Sequence, residues 1–405
     1  MSLAHGRRRI LSAWLFALLL PAGAAEAGGP LILRSNGLPF VWSTAGPVQY
    51  RTDDGPLSAS VSEAQALTRV DAMFDVWQNV ASSNISYDQI GLIAPAGAYA
   101  GGDVDSLAEF EAVQTDCQNG GQSPIVYDGN GSIIRDLGMD EESVIGFAGP
   151  CALNATQIVS GQAVMNGLFQ DGVDTAPNPE LSADEFDAAF IHEFGHFSGL
   201  DHSQINVSCQ SGCGADDQAG LPTMFPLLVV DSQNQLSIDD VAWISRLYPQ
   251  AGAGGFAATH GTITGVVFFS DGESHAQFVN VIARQVNTGG NQDRRSAASA
   301  VSGYKFRIFI GNPIIGGGDT FGSTAPGDIG RYEISVPPGN YTVGVETIAQ
   351  EFTGGSSVGG PIRIPMPGMA PAPIGPINVT AGATSSGNDI TLIGSDPRFD
   401  QFEGP

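Results

Sequence analysis

The chain has 405 residues, of which 42% are hydrophobic and 14% are charged, so it is long enough for two or three domains with buried cores. This composition excludes a wholly disordered protein. The chain has 16 Lys and Arg residues but 42 Asp and Glu residues, which gives a formal net charge of -26. This charge would repel nucleic acid and anionic membranes, so neither is an expected partner.

The amino terminus has the pattern of an export signal. Arginines at 7–9 precede an apolar run at 10–20, and small residues at 25–27 offer an A-x-A cleavage site. A transmembrane anchor is the alternative, but the apolar run is shorter than the roughly 20 residues that a spanning helix needs. Residues 1–27 are therefore predicted to be a signal peptide, and the mature protein is expected to be secreted or periplasmic, without a membrane anchor.

The first elements of the mature chain mix extended and helical patterns. The segment 48–51 has the pattern of a strand, and a helix is predicted to start near Ser60 or Ser62. Four apolar residues share one face of that helix, and they are Leu67, Val70, Phe74 and Trp77. This aromatic stripe is interpreted as core packing rather than as a cofactor site.

All four cysteines lie in the central part of the chain, at positions 117, 151, 209 and 213. An exported chain with an even number of cysteines is expected to form disulfides, and four cysteines allow three connectivities. Proximity along the chain favours Cys117 with Cys151 and Cys209 with Cys213. A cysteine-ligated zinc is the less favoured alternative, because the spacings lack paired C-x-x-C motifs.

A short polar segment at 128–132, Asp-Gly-Asn-Gly-Ser, spaces oxygen-bearing side chains two residues apart, as calcium-binding loops do. Its second glycine stands at the fourth position rather than the sixth, and the acidic residue expected at the twelfth position is absent. The segment is therefore interpreted first as a turn and second as a calcium site.

Chemistry is concentrated in one eleven-residue segment, HEFGHFSGLDH. Histidines four apart lie on the same face of a helix, so His192 and His196 can offer two imidazoles to one zinc ion. Gly199 can end the helix with a positive φ and turn the chain so that His202 supplies a third ligand. Three protein ligands leave one coordination position open, which is typical of catalytic zinc, and Glu193 lies one residue along from the first ligand.

A helix at this position is also indicated by residues outside the motif. The segment 182–185, Ser-Ala-Asp-Glu, fits a capping box, and Leu181 can pack on Phe186 as a hydrophobic staple. The predicted helix runs from about 183 to 198. Its phenylalanines are expected to be buried, while its histidines face a cleft.

A change of composition at 251–255, Ala-Gly-Ala-Gly-Gly, marks a flexible linker between two domains. Short alternating or β-branched runs follow, and they predict an all-β sandwich over 256–395 and a tail at 396–405. The predicted strands are Thr262 to Phe269, Phe278 to Val286, Tyr304 to Ile310, Arg331 to Val336, Tyr341 to Glu346, Ile377 to Thr380 and Asp389 to Leu392. A glycine- and proline-rich segment at 353–376 is predicted to be a long loop.

The histidine segment resembles the zinc-binding signature of the metzincin metallopeptidases, and within them the matrixins, which include the matrix metalloproteinases. The segment 223–226, Thr-Met-Phe-Pro, resembles their Met-turn, and the segment 236–249 resembles the closing helix of their catalytic domain. The resemblance covers about residues 40 to 250. It implies an α+β fold for residues 28–250, with a twisted mixed sheet and a long active-site helix.

The resemblance assigns roles by position to the residues of the motif. It implies one catalytic zinc bound by three histidines, which are His192, His196 and His202. Glu193 would be the catalytic base, and Met224 would form the hydrophobic floor beneath the metal.

The resemblance also implies two supporting features. Asp239 and Asp240 match aspartates that brace the Met-turn and the amino-terminal segment, although a charge pair at the start of a helix is equally compatible with the sequence. The extended segment 157–166 lies where matrixins keep the edge strand that pairs with substrate, and an ordinary buried strand is the alternative.

Three departures from the matrixin pattern limit what the resemblance implies. The chain has no counterpart of a propeptide with a cysteine switch. The predicted catalytic domain has no histidines outside the motif, so a second, structural zinc is not expected. The connection from His202 to Met224 is longer than usual and contains Cys209 and Cys213, so the primed side of the substrate cleft is expected to differ from that of the matrixins.

The carboxy-terminal part resembles the transthyretin-type β-sandwich modules known as carboxypeptidase-regulatory-like domains. Residues 261–267 match their opening strand, and residues 330–343 match their paired central strands. The resemblance implies that this module spaces, stabilises or docks rather than catalyses.

Together these features predict a secreted zinc endopeptidase that hydrolyses peptide bonds in extended protein chains, with a zinc-bound water as nucleophile and Glu193 as general base. The alternative is a non-catalytic surface-binding or adhesion protein that retains a metalloprotease fold. The intact Glu193 favours the enzyme, because a degenerate binding protein would tolerate its loss.

Overall fold

The structure is a computed structural model that describes residues 29–394 except 33, 35–37, 175–179, 277–278, 288, 291, 303–329 and 347–369, together with a two-residue strand at 9–10. Apart from that strand, the predicted signal peptide 1–27 lies outside the described residues. The tail 396–405 and the predicted strand Tyr304 to Ile310 also lie outside them.

Strands and helices mix in the amino-terminal part of the described chain, as the prediction of an α+β protein requires. In chain order they are β1 (Arg9–Ile10), β2 (Val48–Thr52), α1 (Glu63–Gln78), β3 (Tyr87–Leu92), α2 (Leu107–Gln118), β4 (Pro124–Asp128), α3 (Ser132–Asp136), β5 (Gly146–Leu153), β6 (Ile158–Asn166), α4 (Ala183–Phe197), α5 (Ala215–Gln218), β7 (Leu227–Leu228) and α6 (Ile238–Leu247). Strand β1 pairs antiparallel with β7, directly after the predicted Met-turn.

Five of these strands form one mixed sheet in the order β3-β2-β4-β6-β5. Strands β2, β3, β4 and β6 run parallel, and β5 pairs antiparallel with β6 at the edge. The prediction of an edge strand at 157–166 is therefore wrong, and the alternative of a buried strand is correct. Strand β6 has consecutive buried apolar residues, which is typical of a strand covered on both faces.

Helices cover both faces of this sheet. Helix α2 contacts β4, β5 and β6 on one side, whereas α4 contacts β5, β6 and α1 on the other. Phe74 of α1 stacks on Phe194 of α4 with ring centroids 3.8 Å apart, and Trp77 Nε1 donates to the Ile191 carbonyl at 2.8 Å. The core interpretation is thus confirmed for Val70, Phe74 and Trp77, whereas Leu67 is only half-buried and Ala66 is buried instead. This packing holds α4 against α1.

Both favoured disulfides are present. Cys117 of α2 pairs with Cys151 of β5, and Cys209 pairs with Cys213 in the connection between α4 and β7. The first disulfide joins the helix to the edge strand of the sheet across a separation of 34 residues, and the second spans only 4.

We expect removal of the longer disulfide to destabilise the protein more than removal of the shorter one. In the chain-entropy model, the variant with Cys117→Ala and Cys151→Ala loses about 3 to 4 kcal/mol of unfolding free energy, against about 2 kcal/mol for replacement of Cys209 and Cys213. Urea unfolding of the oxidised proteins measures both values. Equal losses for the two pairs would show that loop length does not govern the effect.

The carboxy-terminal part begins with α7 (Phe256–Thr259) and continues almost entirely as strands, which we call the C-terminal β region. These are β8 (Gly261–Phe268), β9 (Asn280–Val286), β10 (Gln292–Val301), β11 (Arg331–Val336), β12 (Gly339–Glu346), β13 (Ile374–Val379), β14 (Thr384–Ser385) and β15 (Ile390–Thr391). One sheet has the antiparallel order β10-β9-β12-β13, and in a second β8 pairs with β11, β14 and β15.

Most strands predicted in this region are present with shifted ends. One strand was not predicted, and the end of one predicted loop was wrong. Strand β10 was not predicted, because its first half is charged and its second half is rich in alanine and serine, and neither composition is typical of strands. The loop predicted at 353–376 ends too late, since 374–376 belong to β13. The remainder of that segment up to 369 lies outside the described residues.

The two parts of the chain pack against each other. Helix α6 contacts β10 and β11, and one continuous hydrophobic cluster includes residues from both parts. The predicted linker 251–255 therefore joins two bodies that share a core. Within the described ranges, no helix has the length and apolar character needed to span a bilayer.

Candidate metal centre

Helix α4 carries the first two histidines, and its start is set by local chemistry. Ser182 Oγ accepts the Glu185 backbone N–H at 3.2 Å, and Glu185 Oε2 accepts the Ser182 backbone N–H at 2.8 Å. This is the predicted capping box, and its acidic residues also suit the positive end of the helix dipole. The observed helix, Ala183–Phe197, agrees with the prediction to within one residue.

Helix α4 ends just before the predicted glycine, and the turn orients one of the predicted ligands. Gly199 has a φ of 89°, a conformation that favours glycine. The Gly199 N–H donates to the His196 carbonyl and the Leu200 N–H to the Gly195 carbonyl, both at 2.9 Å, which is a Schellman motif. The Leu200 carbonyl in turn accepts His196 Nδ1–H at 2.8 Å, so the helix end fixes the ring of the second histidine.

The segment that resembles a Met-turn lies against α4, where it contacts the first ligand. His192 Nδ1 donates to the Thr223 carbonyl at 2.8 Å. A Cβ atom on Gly195 would lie 2.2 Å from the Met224 sulfur, so only glycine allows methionine this close to the helix between the two ligands. Asp240 accepts the Thr223 N–H at 2.9 Å and the Met224 N–H at 3.1 Å, so it braces this segment. It also accepts the Ser237 N–H at 2.7 Å in a capping box at the start of α6, so both interpretations of this residue hold.

Asp239 departs from the role that the resemblance implied. Its carboxylate accepts Ser203 Oγ–H at 2.7 Å and the Ser299 backbone N–H at 2.7 Å, and no described residue of the amino-terminal segment donates a hydrogen bond to it. Strand β10 of the C-terminal β region supplies Ser299 because it packs directly on α6. Burial and the neighbouring Asp240 raise the pKa of Asp239 to about 7, against hydrogen bonds that lower it.

The third histidine converges with the other two. The Nε2 atoms of His192 and His196 are 3.0 Å apart, and those of His196 and His202 are 3.1 Å apart. A tetrahedral zinc ion with bonds of about 2.0 to 2.1 Å holds its ligand atoms about 3.3 Å apart. This buried triad is the one group of three or more metal-ligating side chains within reach of one another in the described chain, and it can hold a metal ion.

The donor chemistry of the triad also fits a cation. Carbonyl oxygens only accept hydrogen bonds, so Nδ1 carries the proton in both His192 and His196, and Nε2 then presents a lone pair in the neutral ring. Burial lowers the pKa of His196 to about 4 and that of His192 well below its ordinary value, so the neutral form dominates. Two lone pairs 3.0 Å apart repel each other unless a cation lies between them.

Glu193 follows the first of these histidines on α4 and lies under the edge strand, close to Gly146 of β5. Its side chain is fully buried, and neither carboxylate oxygen has a hydrogen-bond partner among the described residues. Desolvation raises the pKa of Glu193 well above its ordinary value; the Ala148 amide of β5 faces the carboxylate and opposes this shift without reaching hydrogen-bond geometry. An unsatisfied buried carboxylate is unfavourable for folding, so its presence indicates a functional role.

The segment considered as a calcium site forms a turn in the structure. Asp128 Oδ2 accepts the Ile134 N–H at 2.8 Å, and Asn130 Oδ1 accepts the Ser132 N–H at 2.9 Å. Gly131 has a φ of 72°, which explains glycine at the position where the chain reverses. The named oxygens are thus engaged by backbone amides, and calcium binding stays a prediction.

The groups that orient the histidine rings could not be predicted from residue types, because they are backbone atoms. The carbonyls of Leu200 and Thr223 carry no side-chain signal. The positions of Leu200, next to the helix-ending glycine, and of Thr223, next to the methionine, are the only signals that point to them. Ser299 was missed because its strand was not predicted.

Comparison with known proteins adds no assignment for this site. No protein-family model matches the chain, and no curated protein matches it with significant similarity. The chemistry of the triad and of Glu193 therefore has to be inferred from their own geometry.

Proposed function

We propose that the protein is a secreted zinc endopeptidase related to the matrixins, with a β-sandwich accessory domain. The observation that carries the proposal is the convergence of three buried imidazole nitrogens, together with a buried carboxylate one residue along α4 that has no hydrogen-bond partner in the described structure. Three converging imidazoles and such a carboxylate do not stabilise the fold, and they are the residue types that make up a hydrolytic metal site.

The arrangement of elements supports the relationship to the metzincins. A mixed sheet, a long helix ended by glycine, a turn that contains a methionine and a closing helix occur in the order that the resemblance predicts. The two sheets of the C-terminal β region support the sandwich. Two disulfides, together with the export-signal pattern, support an oxidising compartment outside the cytoplasm.

In this proposal each polar group at the site has one role. The triad His192, His196 and His202 would hold zinc, which when bound supplies a Lewis acid that acidifies water and polarises a carbonyl group. Glu193 would accept a proton from the attacking water and deliver it to the nitrogen of the departing amine. Its lack of any other hydrogen bond among the described residues leaves the carboxylate free for this transfer.

The edge strand offers a surface for an extended peptide substrate. Strand β5 pairs on one side with β6, and in the described chain no strand pairs with its other side. An unpaired strand edge can add a peptide as a further strand through main-chain hydrogen bonds. Because the Ala148 amide of this strand faces Glu193, a peptide bound along it would pass close to the proposed base. These contacts favour an endopeptidase that binds chains rather than chain ends.

A second candidate function is a binding protein that retains the fold without catalysis. The extensive packing of the C-terminal β region on the first part is compatible with attachment to a surface. Glu193 argues against this candidate, because a protein without hydrolytic function has no use for an unsatisfied buried carboxylate.

Digestion of casein or gelatin by the purified mature protein tests the proposal. We expect one zinc ion per chain, cleavage without chelator, no cleavage once a chelator has removed the zinc, and recovery when zinc is added back. Elemental analysis and gel electrophoresis measure the two properties on the same samples. Cleavage that persists after zinc removal would contradict the mechanism, and zinc binding without any cleavage would favour the binding protein.

A further inference from the structure

The third ligand lies on a loop, in contrast to the first two. His192 and His196 are fixed on α4, whereas residues 201–204 have no regular secondary structure. A ligand on a loop is only as well placed as the residues that support the loop. We call residues 203–206 the third-ligand loop, because they follow His202 directly.

The third-ligand loop is buried although most of its residues are polar. Ser203, Gln204, Ile205 and Asn206 are all 0% exposed. Burial of polar residues outside regular structure is favourable only when specific partners satisfy them. The partners of this loop identify the part of the protein that supports it.

Two of the loop residues contact the C-terminal β region through its strand β9. Asn280 Nδ2 donates to the Gln204 carbonyl at 3.0 Å. Ile205 forms a small hydrophobic cluster with Ile282 of β9 and Ala297 of β10. The middle of the third-ligand loop therefore packs on strands that lie more than 70 residues further along the chain.

Asn206 provides the strongest link. Its Oδ1 accepts from Arg284 Nη2 at 2.7 Å and from Arg294 Nη2 at 3.1 Å, while its Nδ2 donates to the Asp217 carbonyl at 2.9 Å. Asn206 has a φ of 57°, and no other non-glycine residue in the described ranges has a positive φ. The two guanidinium groups that donate to this amide oxygen hold the loop in a backbone conformation that residues other than glycine rarely adopt.

Ser203 reaches the same region through Asp239. The Asp239 carboxylate accepts from Ser203 Oγ and from the backbone N–H of Ser299, each at 2.7 Å. Trp243 of α6 donates its Nε1–H to the Ser299 carbonyl at 3.0 Å, which fixes this point of β10 on the helix. The Asp239 carboxylate thus links β10 to Ser203, the residue next to His202, through one hydrogen bond to each.

The backbone of the same strand also contacts the end of the long connection that follows the loop. A Cβ atom on Gly220 would lie 2.1 Å from the Arg294 carbonyl oxygen, a distance that only displacement of the backbone could relieve. Glycine at this position therefore permits the connection between His202 and Met224 to lie directly on β10.

We infer that the C-terminal β region is a positioning component of the metal centre, in which Arg284, Arg294 and Ser299 hold the third-ligand loop and thereby His202. The inference rests on the proposed metal site, and it concerns this chain's own residues rather than the catalytic step. The accessory domain accordingly has a defined structural role, because it supports the one ligand that lies outside α4. Loss of that support weakens metal binding because His202 no longer converges with the other two imidazoles.

The Asn206→Gly variant tests the inference. Glycine keeps the positive φ of this residue but removes the acceptor of both arginines. We expect zinc to bind about 10- to 100-fold more weakly in a chelator competition, and the visible absorption of the cobalt(II)-loaded protein to change. The control is Arg295→Ala, which removes the exposed pair between Arg295 and Asp216 on the same interface. We expect the control to change the zinc Kd by less than about twofold.

Gly220→Ala provides a second test that leaves the third-ligand loop unaltered. The added methyl group clashes with the Arg294 carbonyl and so moves the connection between His202 and Met224 away from β10. We expect weaker zinc binding and a change of the cobalt(II) spectrum in the same direction as in the Asn206→Gly variant. Zinc affinity and spectrum unchanged in both folded variants would overturn the inference. Failure of the parent protein to bind zinc would overturn the proposed function instead. Circular dichroism identifies a variant that has unfolded, and the other variant then decides the test.

Discussion

The Glu193→Gln variant is expected to hydrolyse casein at least about 10²-fold more slowly than the parent while it still binds one zinc ion. Glutamine has nearly the same size as glutamate but cannot accept a proton from water at neutral pH. Because no described group donates a hydrogen bond to the carboxylate, the substitution breaks no existing contact. The variant should keep the fold of the parent, since glutamine fills nearly the same volume at this buried position.

A matched control separates the loss of the base from the loss of a charge. Asp184 lies exposed in the first turn of the same helix, and Asp184→Asn makes the same chemical change there. We expect this control to keep full activity and to lose at most about 1 kcal/mol of stability. Initial rates at matched zinc content measure both variants. Full activity in the Glu193→Gln protein would rule out the general-base role.

The His202→Ala variant is expected to lose the stabilisation that zinc gives to the parent. An ion that binds only the folded state adds about 4 kcal/mol to the free energy of unfolding when its concentration is 1,000 times Kd. With two imidazoles left, the site holds zinc too weakly to show this increment. The metal-free variant should keep its fold, because one fewer lone pair then faces the other imidazole nitrogens.

Thermal unfolding with and without zinc measures this effect. The control is His275→Ala, in which the altered ring packs against Phe268 of the C-terminal β region, outside the triad. We expect the control to gain the same increase in Tm as the parent when zinc is added. An unchanged zinc-induced shift in the His202→Ala protein would show that the third imidazole does not contribute to binding.

The local part of the site could be predicted from the sequence because its determinants are close together in the chain. The capping box at Ser182, the spacing of His192 and His196 and the glycine at 199 each act within one or two helical turns. The two disulfides also followed proximity along the chain. At these places local geometry leaves few alternatives, so residue type and spacing are sufficient.

The supports of the site could not be predicted in the same way. Strand β5, rather than the segment 157–166, forms the edge of the sheet, because the pairing partner of a strand depends on residues far away in the chain. Asp239 binds Ser299 for the same reason, and β10 has a composition that does not indicate a strand. Hydrogen bonds between distant backbone groups carry no signature in the sequence.

The sequence by itself determined the helix, the three histidines and the glutamate one residue along, since a period of 3.6 residues places side chains on a common face whatever surrounds the helix. Only the tertiary structure decided that His202 meets the other two ligands and that a second body supports it. That outcome depends on contacts between segments more than 70 residues apart, such as Asn280 with the Gln204 carbonyl. Packing of whole elements, which no short pattern encodes, sets these contacts.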